Sequence, residues 1–152
     1  MAHLEILNLS NTGLKHLPSD IGMLKSLRKL YLHGNDLSNL PDSLCDLYHL
    51  NELYLQHNCL SILPERLSNL KQLITLNVAT NSLQRLPITI CELSNLKTVD
   101  LSNNPLTFVP EKIRRLHDSH ALLHSRSRRR QLISRALRVR GVVEQRQRNL
   151  LT

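Results

Sequence analysis

Apolar positions follow a fixed ruler along this chain. The string leucine-x-x-leucine-x-leucine-x-x-asparagine-x-leucine recurs five times, with its first leucine at Leu4, Leu27, Leu50, Leu73 and Leu96. The spacing is 23 residues every time, without insertion. A constant period of this length marks a solenoid of stacked units. Stacked units build an extended surface and seldom a catalytic pocket.

The second unit shows the pattern in full: Leu27, Leu30, Leu32, Asn35, Leu37, Leu40-Pro41, Leu44 and Leu47. The third and fourth repeat it, with Val78 and Ile90 as conservative changes. The fifth carries Val99 and Val109 and ends at Ile113 and Leu116, and in the first Thr12 stands where asparagine is expected. The leucine-x-leucine step has period two, so it predicts a short strand with one face inward. One strand per unit predicts a parallel sheet with neighbours about 4.8 Å apart. The asparagine follows the strand, where its amide can donate to and accept from buried backbone groups of the turn. Asn35, Asn58, Asn81 and Asn104 are expected to stack as a ladder. Proline then fixes φ as the chain reverses. The Leu44/Leu47 type of pair suits a short helical or 3₁₀ segment on the outer side.

These positions resemble the leucine-rich repeat family. The string leucine-x-x-leucine-proline-x-x-isoleucine/leucine-x-x-leucine is similar to the intracellular subclass of Ras-signalling scaffolds, Ras suppressor proteins and Scribble- or Erbin-type polarity proteins. The resemblance spans residues 4 to 116. It implies an α/β solenoid, with a curved parallel sheet on the concave side and short helical or 3₁₀ segments on the convex side. It also implies a protein-binding role, in small-GTPase or related intracellular signalling, but names no partner.

Charge divides the chain. Residues 1–116 hold eleven Lys/Arg against ten Asp/Glu, and residues 117–152 hold nine Arg against Asp118 and Glu144. The expected organisation is a nearly neutral solenoid over 1–116 and an arginine-rich tail over 117–152 whose start forms a cap helix. In the tail Arg126, Arg128, Arg129, Arg130, Arg135, Arg138 and Arg140 interleave with apolar residues at partly helical spacing. Such a segment suits an anionic membrane, nucleic-acid phosphate or a partner groove. No aromatic residue follows Phe108, so base stacking has no support. Leu4 is already a core position, and the missing polar cap before it suggests a truncated array or an exposed end that docks.

Cys45 and Cys91 occupy one repeat position two units apart, roughly 10 Å by strand spacing, which exceeds disulfide reach. Cys59 belongs to another column. No secretory leader or membrane-length apolar run is seen, so Asn8-Leu9-Ser10 reads as an unused glycosylation sequon. A reducing compartment is expected, cytoplasmic first and nuclear second.

Residues flanking the inward leucines should point onto the concave face in columns. One column reads Asn8, Tyr31, Tyr54, Asn77, Asp100; beside it run Ile6, Lys29, Glu52, Thr75, Thr98 and Ser10, His33, Gln56, Ala79, Ser102. Tyr31 and Tyr54, each with apolar area and a polar tip, are the expected anchors. Arg28, Lys29, His33, Glu52, Gln56, His57, Asn77 and Asp100 complete the candidate partner surface. The convex charges are mixed in sign and read as a solvated face.

Chemistry finds little foothold. The four glycines are isolated, no cysteine pair has CxxC spacing, and no carboxylate completes a triad with His33 or His57. His117, His120 and His124 share a helix face by spacing, but nothing completes a metal set and the following arginines repel a cation. No enzyme, cofactor, metal or small-molecule substrate is expected. Two roles remain: a scaffold that binds another protein on its concave face, and an electrostatic adaptor whose tail binds anionic membrane or nucleic acid.

Overall fold

The computed structural model describes residues 3–120. Contacts divide the chain after Asp118, and the fold lies in the first unit, Met1–Asp118. Five three-residue strands form one parallel sheet in chain order: β1 (Ile6–Asn8), β2 (Lys29–Tyr31), β3 (Glu52–Tyr54), β4 (Thr75–Asn77) and β5 (Thr98–Asp100). The register follows the period: Leu7 pairs with Leu30, Leu30 with Leu53, Leu53 with Leu76, and Leu76 with Val99. From β2 onward the central residue of each strand is fully buried and its two neighbours are half-buried on the opposite face. A shift of one residue would turn every leucine to solvent, so this register is strongly specified.

The return segments are 3₁₀ helices: Ser19–Met23, Asp42–Asp46, Glu65–Asn69 and Ile88–Glu92. Each follows a proline with φ between −70° and −54°. In the second unit the N–H of Leu44 donates to the Pro41 carbonyl, Leu47 to Leu44, and Leu50 to Leu47. A 3₁₀ helix has three residues per turn, so positions three apart eclipse. That is why Leu44, Leu47 and Leu50 all face inward and are completely buried. An α-helix would rotate each successive leucine further from the core.

The fifth unit departs from this plan. Pro110, Ile113 and Leu116 keep the spacing, yet residues 111–120 are α-helical, and Arg114 N–H reaches back four residues to the Pro110 carbonyl. No sixth strand follows among the described residues. Ile113 is buried over the end of the core, while Phe108 is exposed. The helix therefore starts inside the last repeat, before residue 117. Leu122 and Leu123 lie outside the described residues. At the other end Leu4 and Ile6 are exposed.

Asparagine joins the units. Asn58 Oδ1 accepts from Leu37 N–H at 3.0 Å, and its Nδ2 donates to the carbonyls of Leu32 and Leu55 at 2.9 and 3.0 Å. Asn81 repeats this with Leu60 N–H, Leu55 and Val78, and Asn104 with Leu83 N–H, Val78 and Leu101. Asn35 accepts from the N–H groups of Thr12 and Leu14 and from the Thr12 hydroxyl. The sequence places these amides in their own turn; the structure adds that each also reaches back one repeat. The Leu32 and Leu55 carbonyls each accept from two amides, so consecutive units share acceptors.

The turn after each strand needs a left-handed residue. Asn11, Gly34, His57, Thr80 and Asn103 occupy that column with φ between 55° and 68°. Asparagine and glycine tolerate this region, but a β-branched residue is strained there.

Two stability outcomes follow from these contacts. Asn58→Ala leaves the Leu37 N–H without a partner and removes one of two donors from each of the Leu32 and Leu55 carbonyls, and it lowers the unfolding free energy by about 1–3 kcal/mol in urea titration; a midpoint equal to the parent's contradicts the ladder. Thr80→Asn relieves the strained turn and raises stability by about 1 kcal/mol; a loss of stability would show that the Thr80 side chain contributes more than its backbone costs.

Candidate functional site

The sheet register sets the candidate surface. Lys29 pairs with Glu52 and Tyr31 with Tyr54 across β2 and β3. Tyr31 and Tyr54 stand as a parallel stack, centroids 4.9 Å apart and planes 3° apart. His33, two residues past Tyr31 on the same face, meets its ring edge-on at 6.4 Å. Aromatic pairs of this kind gain about 0.5–1.5 kcal/mol beyond burial, and they fix each other's orientation.

A polar cluster braces the stack. Lys29 Nζ lies 2.7 Å from Glu52 Oε1, and the Tyr54 hydroxyl donates to Glu52 Oε2 at 3.1 Å. The hydrogen bond to Glu52 and its negative charge raise the Lys29 ammonium above its ordinary value. Burial, then the Glu52 hydrogen bond and charge, push the Tyr54 phenol up to about 12. Glu52 thus carries Lys29 and Tyr54 at once, and the centre of the face has no net charge.

The remaining candidates divide. Gln56 and His33 are neighbours in the next column, and Gln56 Oε1 and His33 Nδ1 are buried without a hydrogen-bond partner among the described residues. Arg28 is not part of the tyrosine cluster; it lies 3.8 Å from Glu5, in a column of its own. His57 sits in the left-handed turn with an exposed side chain. Asn77 Oδ1 accepts from Ala79 N–H, and Asp100 Oδ1 from Ser102 N–H, both at 3.0 Å. These two side chains close their own strand ends, as Asn8 does through Ser10. Tyr31 and Tyr54 replace that local device with area projecting from the sheet. The contiguous cluster is therefore Lys29, Tyr31, His33, Glu52 and Tyr54, with Gln56 alongside.

Two further residues matter here: Glu5, absent from the expected surface, and His117, weighed above only as a metal ligand. Glu5 partners Arg28, a pair separated by one period and so visible from spacing alone. His117 accepts from Leu101 N–H at 3.2 Å, which no repeat pattern signals. The tail arginines, Arg126 to Arg140, lie outside the described residues. Among the described residues no group of His, Cys, Asp or Glu is placed to hold a metal, and no helix is long and apolar enough to cross a membrane. Cys45, Cys59 and Cys91 are all free thiols. Burial pushes the Cys45 thiol up to about 11.

Comparison with known proteins agrees with this architecture. The family described as Leucine-rich repeat region matches residues 1–79, and Leucine Rich Repeat matches residues 95–116. Curated proteins yield no match. Among solved structures, a leucine-rich repeat protein of Leptospira interrogans is 39% identical with a TM-score of 0.72, over 76% of this chain and 29% of its own. The leucine-rich repeat domain of the type III effector XopL is 32% identical, TM-score 0.67, over 71% of this chain and 40% of its own. A chain in the BIR3–SERK2 complex from Arabidopsis thaliana is 30% identical, TM-score 0.65, over 72% of this chain and 61% of its own. The chain thus spans less than two thirds of each of these structures.

The Glu52 contacts have a spectroscopic consequence. A phenol raised in the folded state stabilises the fold fully below the ordinary tyrosine range near 10, and that contribution is lost as pH climbs through about 12. Ultraviolet titration of the folded protein should show a tyrosine step near the upper value that disappears in Tyr54→Phe and moves down in Glu52→Gln. An unchanged high step in Tyr54→Phe would assign it to another tyrosine.

Proposed function

The chain belongs to the leucine-rich repeat family, and from that premise we propose that it is a scaffold that binds another protein on its concave face, centred on Tyr31 and Tyr54. Proteins of this family generally mediate protein–protein interaction. The single observation that carries the assignment to this face is the tyrosine stack itself. The two rings are outside the leucine core, yet they are held by each other, by His33 and by Glu52. Side chains ordered before binding lose less entropy on forming an interface. Rigid tyrosines with a polar tip are frequent anchors.

The charge pattern supports the same reading. Lys29 and Glu52 neutralise each other at 2.7 Å, and Arg28 stands beside Glu5. A partner settling here meets paired charges and need not neutralise an isolated ion. The convex pairs Arg66–Asp46, Lys71–Glu92 and Arg85–Glu65 are exposed and widely spread, and such pairs contribute little. The BIR3–SERK2 complex, which contains a chain similar to this one, is itself an assembly of proteins. The proposed setting is small-GTPase or related intracellular signalling in the cytoplasm. The alternative places the activity in the nine arginines of residues 117–152, binding anionic membrane or nucleic acid. Binding of that kind collapses as salt rises, while a tyrosine-centred interface depends on salt much less.

The test is affinity capture from cytosol with the full chain, comparing parent, Tyr31→Ala/Tyr54→Ala, and the convex control Glu92→Ala. Each tyrosine truncation should remove ~1–3 kcal/mol of partner affinity, with the far-ultraviolet circular dichroism unchanged. Glu92→Ala should retain every partner. A folded double variant that keeps all partners moves the working surface off this face.

A further inference from the structure

Four amides occupy one repeat position and donate to the strand that follows. Leu9 N–H meets the Tyr31 carbonyl at 2.9 Å, Leu32 meets Tyr54 at 2.8 Å, Leu55 meets Asn77 at 2.7 Å, and Val78 meets Asp100 at 2.9 Å. The fifth amide, Leu101, has no sixth strand beside it among the described residues. Its N–H donates instead to Nδ1 of His117 at 3.2 Å. The helix over 111–120 brings that imidazole to where the carbonyl of a further repeat would stand. The same Nδ1 lies 3.9 Å from Asp100 Oδ1, and both side chains are largely buried, 25% and 20% exposed.

An imidazole nitrogen that accepts a hydrogen bond carries no hydrogen, so this contact requires a neutral ring with its proton on Nε2. The charged ring carries hydrogen on both nitrogens. Its Nδ1–H would then oppose the Leu101 N–H, while the Asp100 carboxylate stands within a small rotation.

We propose that His117 is a two-position latch on the last strand: neutral, it closes the edge amide of Leu101; charged, it turns to Asp100 and releases that amide. From β5 the group facing it is Asp100. On its own helix Arg114 and His120 stand one turn to either side and Asp118 follows it in the chain. Among the described residues the released amide then has no acceptor, and an unpaired donor of this kind is a template for strand pairing.

Hydrogen exchange of the full chain, read amide by amide by nuclear magnetic resonance, tests this. Val78, the equivalent amide one repeat earlier, serves as the internal reference. Between about pH 7.5 and about pH 5 the protection of Leu101 relative to Val78 should fall by roughly tenfold. His117→Gln offers a side-chain acceptor that does not titrate, so its ratio should stay constant between the two conditions. A constant ratio in the parent overturns the latch. A fall in His117→Gln as large as the parent's also overturns it, because the loosening then arises elsewhere.

Discussion

The structure depends on satisfying backbone polar groups inside a leucine core. A 23-residue coil with a three-residue strand makes too few sheet hydrogen bonds to pair every group in its turns. Buried and unpaired, each such group costs on the order of 1–3 kcal/mol. Asparagine resolves this because one side chain both donates and accepts. Asn58 and Asn81 each meet an N–H and a carbonyl of the preceding repeat, and a carbonyl of their own. The ladder therefore couples neighbouring units as well as closing single turns. Leucine burial drives the stack together, and the amides set its spacing.

That coupling gives the concave face its order. Side chains one period apart stand about one strand spacing from each other, so a column can act as a unit. Tyr31 and Tyr54 use this to stack; Lys29 and Glu52 use it to pair. Elsewhere in the same column Asn8, Asn77 and Asp100 turn their side chains back to the backbone. The second and third repeats are thus chemically different from their neighbours on an otherwise repetitive frame.

Much of this was legible in the sequence, for a definite reason. A strict period converts positions in the chain into positions in space, so strand register, inward leucines, the columns and the adjacency of Tyr31 and Tyr54 all follow from counting. Counting says less about side-chain reach. It places Arg28 beside the tyrosines, whereas the structure puts it against Glu5. It lists Asn77 and Asp100 as surface groups, whereas both serve local turns. Where the period ends its power ends too: Pro110, Ile113 and Leu116 keep the spacing of a 3₁₀ segment but lie at an α-helix, and His117 meets Leu101 outside any pattern.

The asparagine ladder binds separate repeats into one cooperative body. Native-state hydrogen exchange at the Leu37, Leu60 and Leu83 amides tests it most directly, since these loop N–H groups donate to Asn58, Asn81 and Asn104 of the next repeat. Leu37 and Leu60 should exchange as slowly as Leu32 and Leu55, whose amides donate to the next strand, through one shared opening. Fast exchange at Leu37 and Leu60, at rates ordinary for exposed loops, would mean that each repeat stands by itself and that the ladder holds nothing together.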